Sequence, residues 1–220
     1  MGQATLSTLT HGAIAGVETG AHFAQRHADR VASECGPLPV AQPLQALFAT
    51  GGYERGHIYG ISGDASVSLL FALVAQATTQ GSWLAMVNTP HVGFMAASEY
   101  GVALHRVVSV RAESQLGKVL GALADGFDLV AVSSPQCSVG EARKIAARAK
   151  AQGAVLFVLG KPGAFEVDAT FSTRTTDWQF STHAMARAVH ISAHGRRVYG
   201  NRSCAVQLPN AAGCIGEVRA

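Results

Sequence analysis

Charged side chains are scarce in this chain: Asp, Glu, Lys and Arg together supply 14% of its 220 residues, well under the roughly 25% of an ordinary soluble domain. Its 17 basic residues barely outnumber its 14 acidic ones, leaving a net charge of +3. A balance that mild permits contact with nucleic acid without arguing for it. Long apolar runs are missing too. The longest, Leu69 to Ala75, falls far short of the ~20 residues that span a bilayer, so no membrane association is expected. The N-terminus lacks the basic start, apolar stretch and small-residue cleavage site of an export signal. Leu6 stands where a myristoylation signal needs Ser or Thr.

Cysteine and histidine show no metal or redox pattern either. Cys35, Cys137, Cys204 and Cys214 form no C-x-x-C pair and read as reduced thiols of a cytoplasmic protein. His11, His22 and His27 share no motif with acidic or Cys partners, so they read as surface or core histidines. Neither a metal nor a cofactor is expected.

What the chain does hold is small and apolar, with a mean hydropathy of +0.20. Two readings fit: a small-residue-rich α/β core, and such a core with an apolar surface that a partner covers. The length suits one domain with a full core. Residues 1–43 read as an N-terminal helix, Ile14 to Val31, followed by a Pro-rich linker from Cys35 to Pro43. Residues 44–165 alternate short apolar strands with helices. A short helix at Leu44–Phe48 leads in, and strands are predicted at Trp83–Val87, Val107–Val110, Leu129–Val132 and Val155–Leu159. Helices are predicted at Val67–Gln80, Val92–Tyr100, Ser114–Ala124 and Val139–Gln152, several of them stopped by a glycine. That alternation implies a mostly parallel sheet covered on both faces. Residues 166–194 read as an antiparallel strand pair, Ala169–Trp178 and Arg187–Ala193. Residues 195–220 read as a basic tail, turn-rich and low in structure.

The chain is organised around Gly51 to Ser68, GGYERGHIYGISGDASVS. His57-Ile58-Tyr59 reads as the end of a buried strand, Gly60 to Ala65 as a glycine-punctuated loop, and the residues after Ser66 as a helix. Strand, tight loop and helix in that order make the frame of a phosphate-binding P-loop, G-x-x-x-x-G-K-[ST]. Counted from Gly60, Ala65 holds the place of the second Gly, Ser66 that of the Lys and Val67 that of the Ser/Thr. Ser66 brings no charge to a phosphate, and Val67 offers Mg²⁺ nothing. Backbone N–H groups at the helix start, with the hydroxyls of Ser66 and Ser68, retain a weak pull on an anion. The expectation for Gly60, Ser62, Gly63, Asp64, Ala65, Ser66, Val67 and Ser68 is a plain strand-to-helix turn that binds no cofactor.

The run TGGYERGHIYGISGDASVSLL resembles the core of RecA-type recombinases, and Phe127-Asp128-Leu129-Val130-Ala131-Val132-Ser133-Ser134 resembles the segment ending in that family's Walker B aspartate. The likeness covers roughly residues 44–165. It implies a RecA-like core, and it also marks what has gone. The family's catalytic Glu falls in Asn88-Thr89-Pro90-His91, which has no carboxylate, and its Walker B Asp falls on Ser133. Lys, hydroxyl, Glu and Asp are all missing, and hydrolysis needs groups of these kinds. A pseudo-ATPase is therefore expected.

The lead-in LPVAQPLQALFATGG, the eroded loop before SLLFALVAQA, Gly81-Ser82-Trp83, Phe127-Asp128-Leu129-Val130 before a Ser-Pro, GEARKIAARAKAQGAVL and the late Trp178 before a basic tail follow in that order. Together they more closely resemble ImuA, the short RecA-like protein of bacterial damage-induced mutasomes, in its degenerate actinobacterial form. That resemblance implies a non-catalytic accessory of error-prone translesion synthesis. Its partners would be a Y-family-like polymerase subunit of the ImuB type and, through it, a C-family error-prone polymerase. The implied location is cytoplasmic, nucleoid-associated after damage. Two alternatives stay open: a SulA-like cell-division inhibitor, and a weak ATP-dependent recombinase-like DNA-binding protein. Arg187, Arg196, Arg197 and Arg202 with Tyr199 among them are candidate DNA or partner contacts, since cations with an aromatic suit backbone attraction and base stacking. A solvated tail is the competing account. Self-association through the N-terminal helix is a further open alternative.

Overall fold

The computed structural model describes residues 36–89, 92–182, 184–196, 198, 200 and 202–218. The expected N-terminal helix lies outside them, as do His11, His22, His27, Cys35, His91, Arg197 and Tyr199. The described chain enters through β1 (Leu38–Pro39), a 3-10 segment (Gln42–Leu47) and β2 (Gly52–Tyr53), then β3 (Ile58–Gly63) and α1 (Ser66–Thr79). There follow β4 (Leu84–Val87), α2 (Phe94–Glu99), β5 (Val107–Val110), α3 (Leu116–Gly126), β6 (Leu129–Ser133), α4 (Val139–Gln152) and β7 (Val155–Leu159). The last strands are β8 (Ala169–Phe180), β9 (Ala184–His194), β10 (Arg202–Gln207) and β11 (Gly216–Glu217).

Nine strands form one sheet in the order β11-β10-β9-β8-β3-β7-β6-β4-β5. Neighbours from β8 to β5 run parallel, and those from β8 to β11 run antiparallel. The protein is thus α/β, with a mostly parallel sheet flanked by helices and an antiparallel C-terminal extension. β4 and β7 are buried at every position, as strands covered on both faces must be. Alternate residues feed two cores. Leu84, Met86, Leu129, Ala131 and Phe157 join the cluster under α1. Val87, Val130, Val132, Leu156 and Val158 join the one containing Leu120 of α3 and Ile145 of α4.

Local chemistry sets the helix ends. Ser138 and Glu141 close a capping box at the start of α4, and Gly153 ends it in the left-handed region at φ 70°. α1 buries an unbroken run from Leu69 to Ala75, the signature of a helix surrounded by protein. Asp128 is fully buried. Its carboxylate accepts the Trp83 N–H at 2.8 Å and pairs with Arg55 at 3.3 Å, which meets the requirement that a buried charge be partnered and ties the starts of β4 and β6 together.

Two segments differ from expectation. The linker before Pro43 is packed: Leu38 and Val40 are buried, and β1 pairs with β2, Leu38 opposite Tyr53. Its two apolar side chains find core space that composition alone does not reveal. The tail beyond Gly195 carries β10 and β11. β10 pairs with β9 from Arg202 opposite Ala193 to Gln207 opposite Ala188, while Val206 and Leu208 enter the core. The unpaired edge of β9 supplies the partner that turns a polar-looking stretch into a strand.

Candidate functional site

The loop between β3 and α1 is shorter than expected. β3 runs on to Gly63, and only Asp64 and Ala65 connect it to α1. The expected loop from Gly60 to Ala65 is therefore corrected: Gly60 to Gly63 are ladder residues, Gly60 and Ile61 opposite Val158 and Leu159 of β7, and Ser62 and Gly63 opposite Ser172 and Thr173 of β8. Backbone groups spent on a ladder cannot curl around a phosphate. Gly63 sits at φ 101°, where a Cβ would collide with the Thr173 carbonyl, so glycine is the residue this close approach admits.

Thr173, nearly buried at 6% exposure, closes the junction. Its hydroxyl accepts the Ala65 N–H at 3.0 Å and donates to the Ser62 carbonyl at 3.1 Å. A donor at the start of α1 that would otherwise face an anion is thereby satisfied within the fold. Asp64 adds a negative charge at the same end. Its carboxylate accepts the Thr175 N–H at 2.9 Å. Desolvation is the largest single effect and works to raise the Asp64 carboxyl, but the Thr175 hydrogen bonds and the Arg187 charge together outweigh it and hold the group below the usual carboxylate range.

Arg187, read from sequence as a candidate DNA or partner contact, belongs to this junction. From β9 its Nη2 donates to Ser68 Oγ at 2.7 Å and its Nε to the Leu208 carbonyl at 2.7 Å. Its guanidinium lies 5.2 Å from the Trp178 ring centroid, a cation–π distance. Trp178 in turn stacks on Phe180, with centroids 5.9 Å apart. Both rings reach solvent, at 43% and 70% exposure. The Tyr100 phenol is pushed up by burial, an effect moderated by the neighbouring Ser68 and Arg187.

The other described arginines lie elsewhere. Arg196 pairs with Glu166 at 2.9 Å, both side chains exposed. Arg202 holds the carbonyls of Ala46 and Phe48 at 3.2 and 3.0 Å. Arg202 faces Ala193 in the register and Arg187 lies six residues back along β9, about 20 Å at strand spacing. These arginines do not line one stripe. Arg187 and Arg202 use guanidinium donors to bind the fold together, and Arg187 meets Ser68 at the start of α1 instead.

Asn88 and Ser133, the places where the RecA resemblance would put carboxylates, lie at the carboxyl ends of parallel strands, where α/β sites collect. Ser133 ends β6 half-buried, and Ser134 follows at φ 41°. Asn88, at φ 51°, spends its amide on Ala112, donating to its carbonyl at 2.9 Å and accepting its N–H at 2.8 Å. No group of three His, Cys, Asp or Glu able to hold a metal occurs among the described residues. Nor is any helix among them long and apolar enough to cross a membrane. Sequence reading missed Thr173 and Thr175, which act through strand pairing across more than a hundred residues. It also missed Phe180, whose place two residues after Trp178 is the only local hint that both share a strand face.

An uncharacterized protein of Mycobacterium tuberculosis, Rv3395c, is 34% identical over 129 residues, covering 57% of this chain and 59% of that protein. The chain thus spans about 59% of the length of the relative it matches. Residues 46–163 match the family described as the MT3502 N-terminal domain. That match covers more than half of the chain, from the 3-10 segment through β7, and the protein belongs to this family.

Proposed function

We propose that this protein is a non-catalytic, RecA-like accessory of DNA-damage-induced error-prone translesion synthesis, acting as a scaffold for mutasome polymerase subunits. Its partners are a Y-family-like subunit of the ImuB type and, through it, a C-family error-prone polymerase, met in the cytoplasm and at the nucleoid after damage. The observation that carries this reading is the closed β3–α1 junction. A strand, turn and helix of P-loop order are kept, yet the Ala65 N–H is taken by Thr173 and the next charge is the anionic Asp64. Phosphoryl transfer needs donors and cations aimed at the phosphates, and this junction offers neither Lys nor metal-holding hydroxyl. A fold kept without its chemistry suits docking, and the exposed Trp178–Phe180 pair is the kind of side chain that anchors interfaces.

The test is affinity purification from damage-treated cells of the source organism, read by mass spectrometry against untreated cells. Recovery of polymerase subunits, stronger after damage, is the expected result. Recovery of the tubulin-like division protein in their place would favour the SulA-like alternative. ATP turnover above a denatured-protein blank would overturn the pseudo-ATPase reading.

A further inference from the structure

We propose that the outer edge of β5 is a self-association surface, on which a second copy of this chain lays its own β5 antiparallel across a two-fold axis. β5 is the last strand of the sheet and pairs on one side only, with β4, from Val107 opposite Leu84 to Val110 opposite Val87. β4 is buried throughout. β5 runs half-buried, exposed, exposed, half-buried, so the helix layers leave it open. Val108 is 36% exposed, and Leu104, in the turn just before the strand, 39%. Native edges are blunted by a proline, a lysine, a bulge or brevity. The opposite edge of this sheet ends in the two-residue β11. β5 has no proline, lysine or bulge, and three of its four residues are valines, which favour a paired strand.

Bonding on the inner side fixes which groups point outward. The Val110 carbonyl accepts the Asn88 N–H at 3.0 Å, and the Ala112 N–H and carbonyl both bond the Asn88 side-chain amide. Main-chain groups of the even-numbered residues therefore face β4, and those of Val107, Ser109 and Arg111 face away from it. The Val107 N–H is taken by the Leu104 carbonyl. The Val107 carbonyl and both main-chain groups of Ser109 and Arg111 are left without a partner among the described residues.

These groups complement themselves. About a two-fold axis at Ser109, its N–H and carbonyl exchange hydrogen bonds with those of the second copy, and each Arg111 N–H meets a Val107 carbonyl. Val108 then stands beside Val110 of the second copy, which covers an exposed apolar side chain. The exposed His105 comes opposite the exposed Glu113, Arg106 opposite Ala112 and Arg111 opposite Val107, so no like charges meet. Sliding the copy by two residues would set His105 against Arg111 in one direction and Glu113 against Val107 in the other. The strand is thus matched in hydrogen bonds, apolar contact and charge to its own copy in one register. One strand with its flanks makes a small interface, so the dimer is a reversible one.

Sedimentation of the full chain over about 1–500 µM, the range of reversible dimers, is the first test. The expected result is a mass rising from the 22.8 kDa of one chain towards twice that value. Ser109→Pro removes an outward N–H and leaves the ladder to β4 intact, a place where an edge strand accepts proline. It should weaken the dimer at least about tenfold while the urea midpoint stays that of the parent. Ser109→Cys sets two thiols across the axis at a Cα separation of about 5.5 Å, within the span of a disulfide. Mild oxidation should then give a covalent dimer whose bond maps to position 109 by peptide mass spectrometry. A single-chain mass over the whole range, as when the edge serves a different protein, would overturn the proposal. So would a dimer that Ser109→Pro leaves untouched, or a Ser109→Cys protein that forms no link at that position. The cross-link decides the matter even if Ser109→Pro does not fold.

Discussion

Thr173 and Ala65, 108 residues apart, meet at 3.0 Å, the threonine hydroxyl accepting the alanine N–H. Through this contact β8 seals the start of α1. The same hydroxyl donates to Ser62, so one buried side chain bridges the last turn of the strand and the first of the helix.

Thr173→Val keeps the shape and removes the acceptor. The Ala65 N–H is then left buried and unpaired, at a cost of about 1–3 kcal/mol. Thr173→Ser should recover most of it. Urea unfolding of the three proteins checks this, and a valine variant as stable as the parent would show that the junction does not depend on the hydroxyl.

Gly63→Ala tests the close approach of β3 to β8. The residue sits at φ 101° with the Thr173 carbonyl in the place of a Cβ. Strain and collision together should cost at least about 2 kcal/mol. The alanine protein should unfold at clearly lower urea, whereas Gly51→Ala, also at positive φ but with open space around it, should lose less.

Arg187→Lys preserves charge but not the planar fork. A lysine cannot hold Ser68, Leu208 and the Trp178 face together, so a loss of about 1–2 kcal/mol is expected. In a Trp83→Phe background, iodide should quench Trp178 more strongly in the lysine variant. Unchanged quenching would mean that Arg187 does not order the ring.

Burial pushes the Cys204 thiol up from 9.0 to about 11. Because the folded pKa lies above the unfolded one, the folded state keeps its proton longer. The resulting contribution to stability is whole below pH 9.0 and is lost as the pH rises towards about 11. Site-resolved alkylation should place half-maximal Cys204 reactivity near pH 11 in the folded protein. A midpoint close to pH 9 would contradict the burial argument.

Much of this architecture is a property of short stretches. The apolar run of β7, the Ser138 and Glu141 pair at the start of α4 and Gly153 at its end each act within a few residues, so local sequence suffices for the alternating core, the parallel sheet and where that helix begins and stops. That Ala65, Ser66 and Val67 differ from the Gly, Lys and Ser/Thr of a P-loop pattern is likewise plain in the chain. Tertiary structure decided the rest. Gly60 to Gly63 are strand because β7 and β8 pair on either side of them, and no local feature distinguishes that outcome from a loop. β10 is a strand because β9 has a free edge beside it. Arg187 and Ser68 touch across 119 residues, as do Thr173 and Ala65 across 108, because the chain folds β8 in against β3. Hydrogen bonds of that reach depend on which strands become neighbours, and sheet order is settled only when the two cores close over both faces.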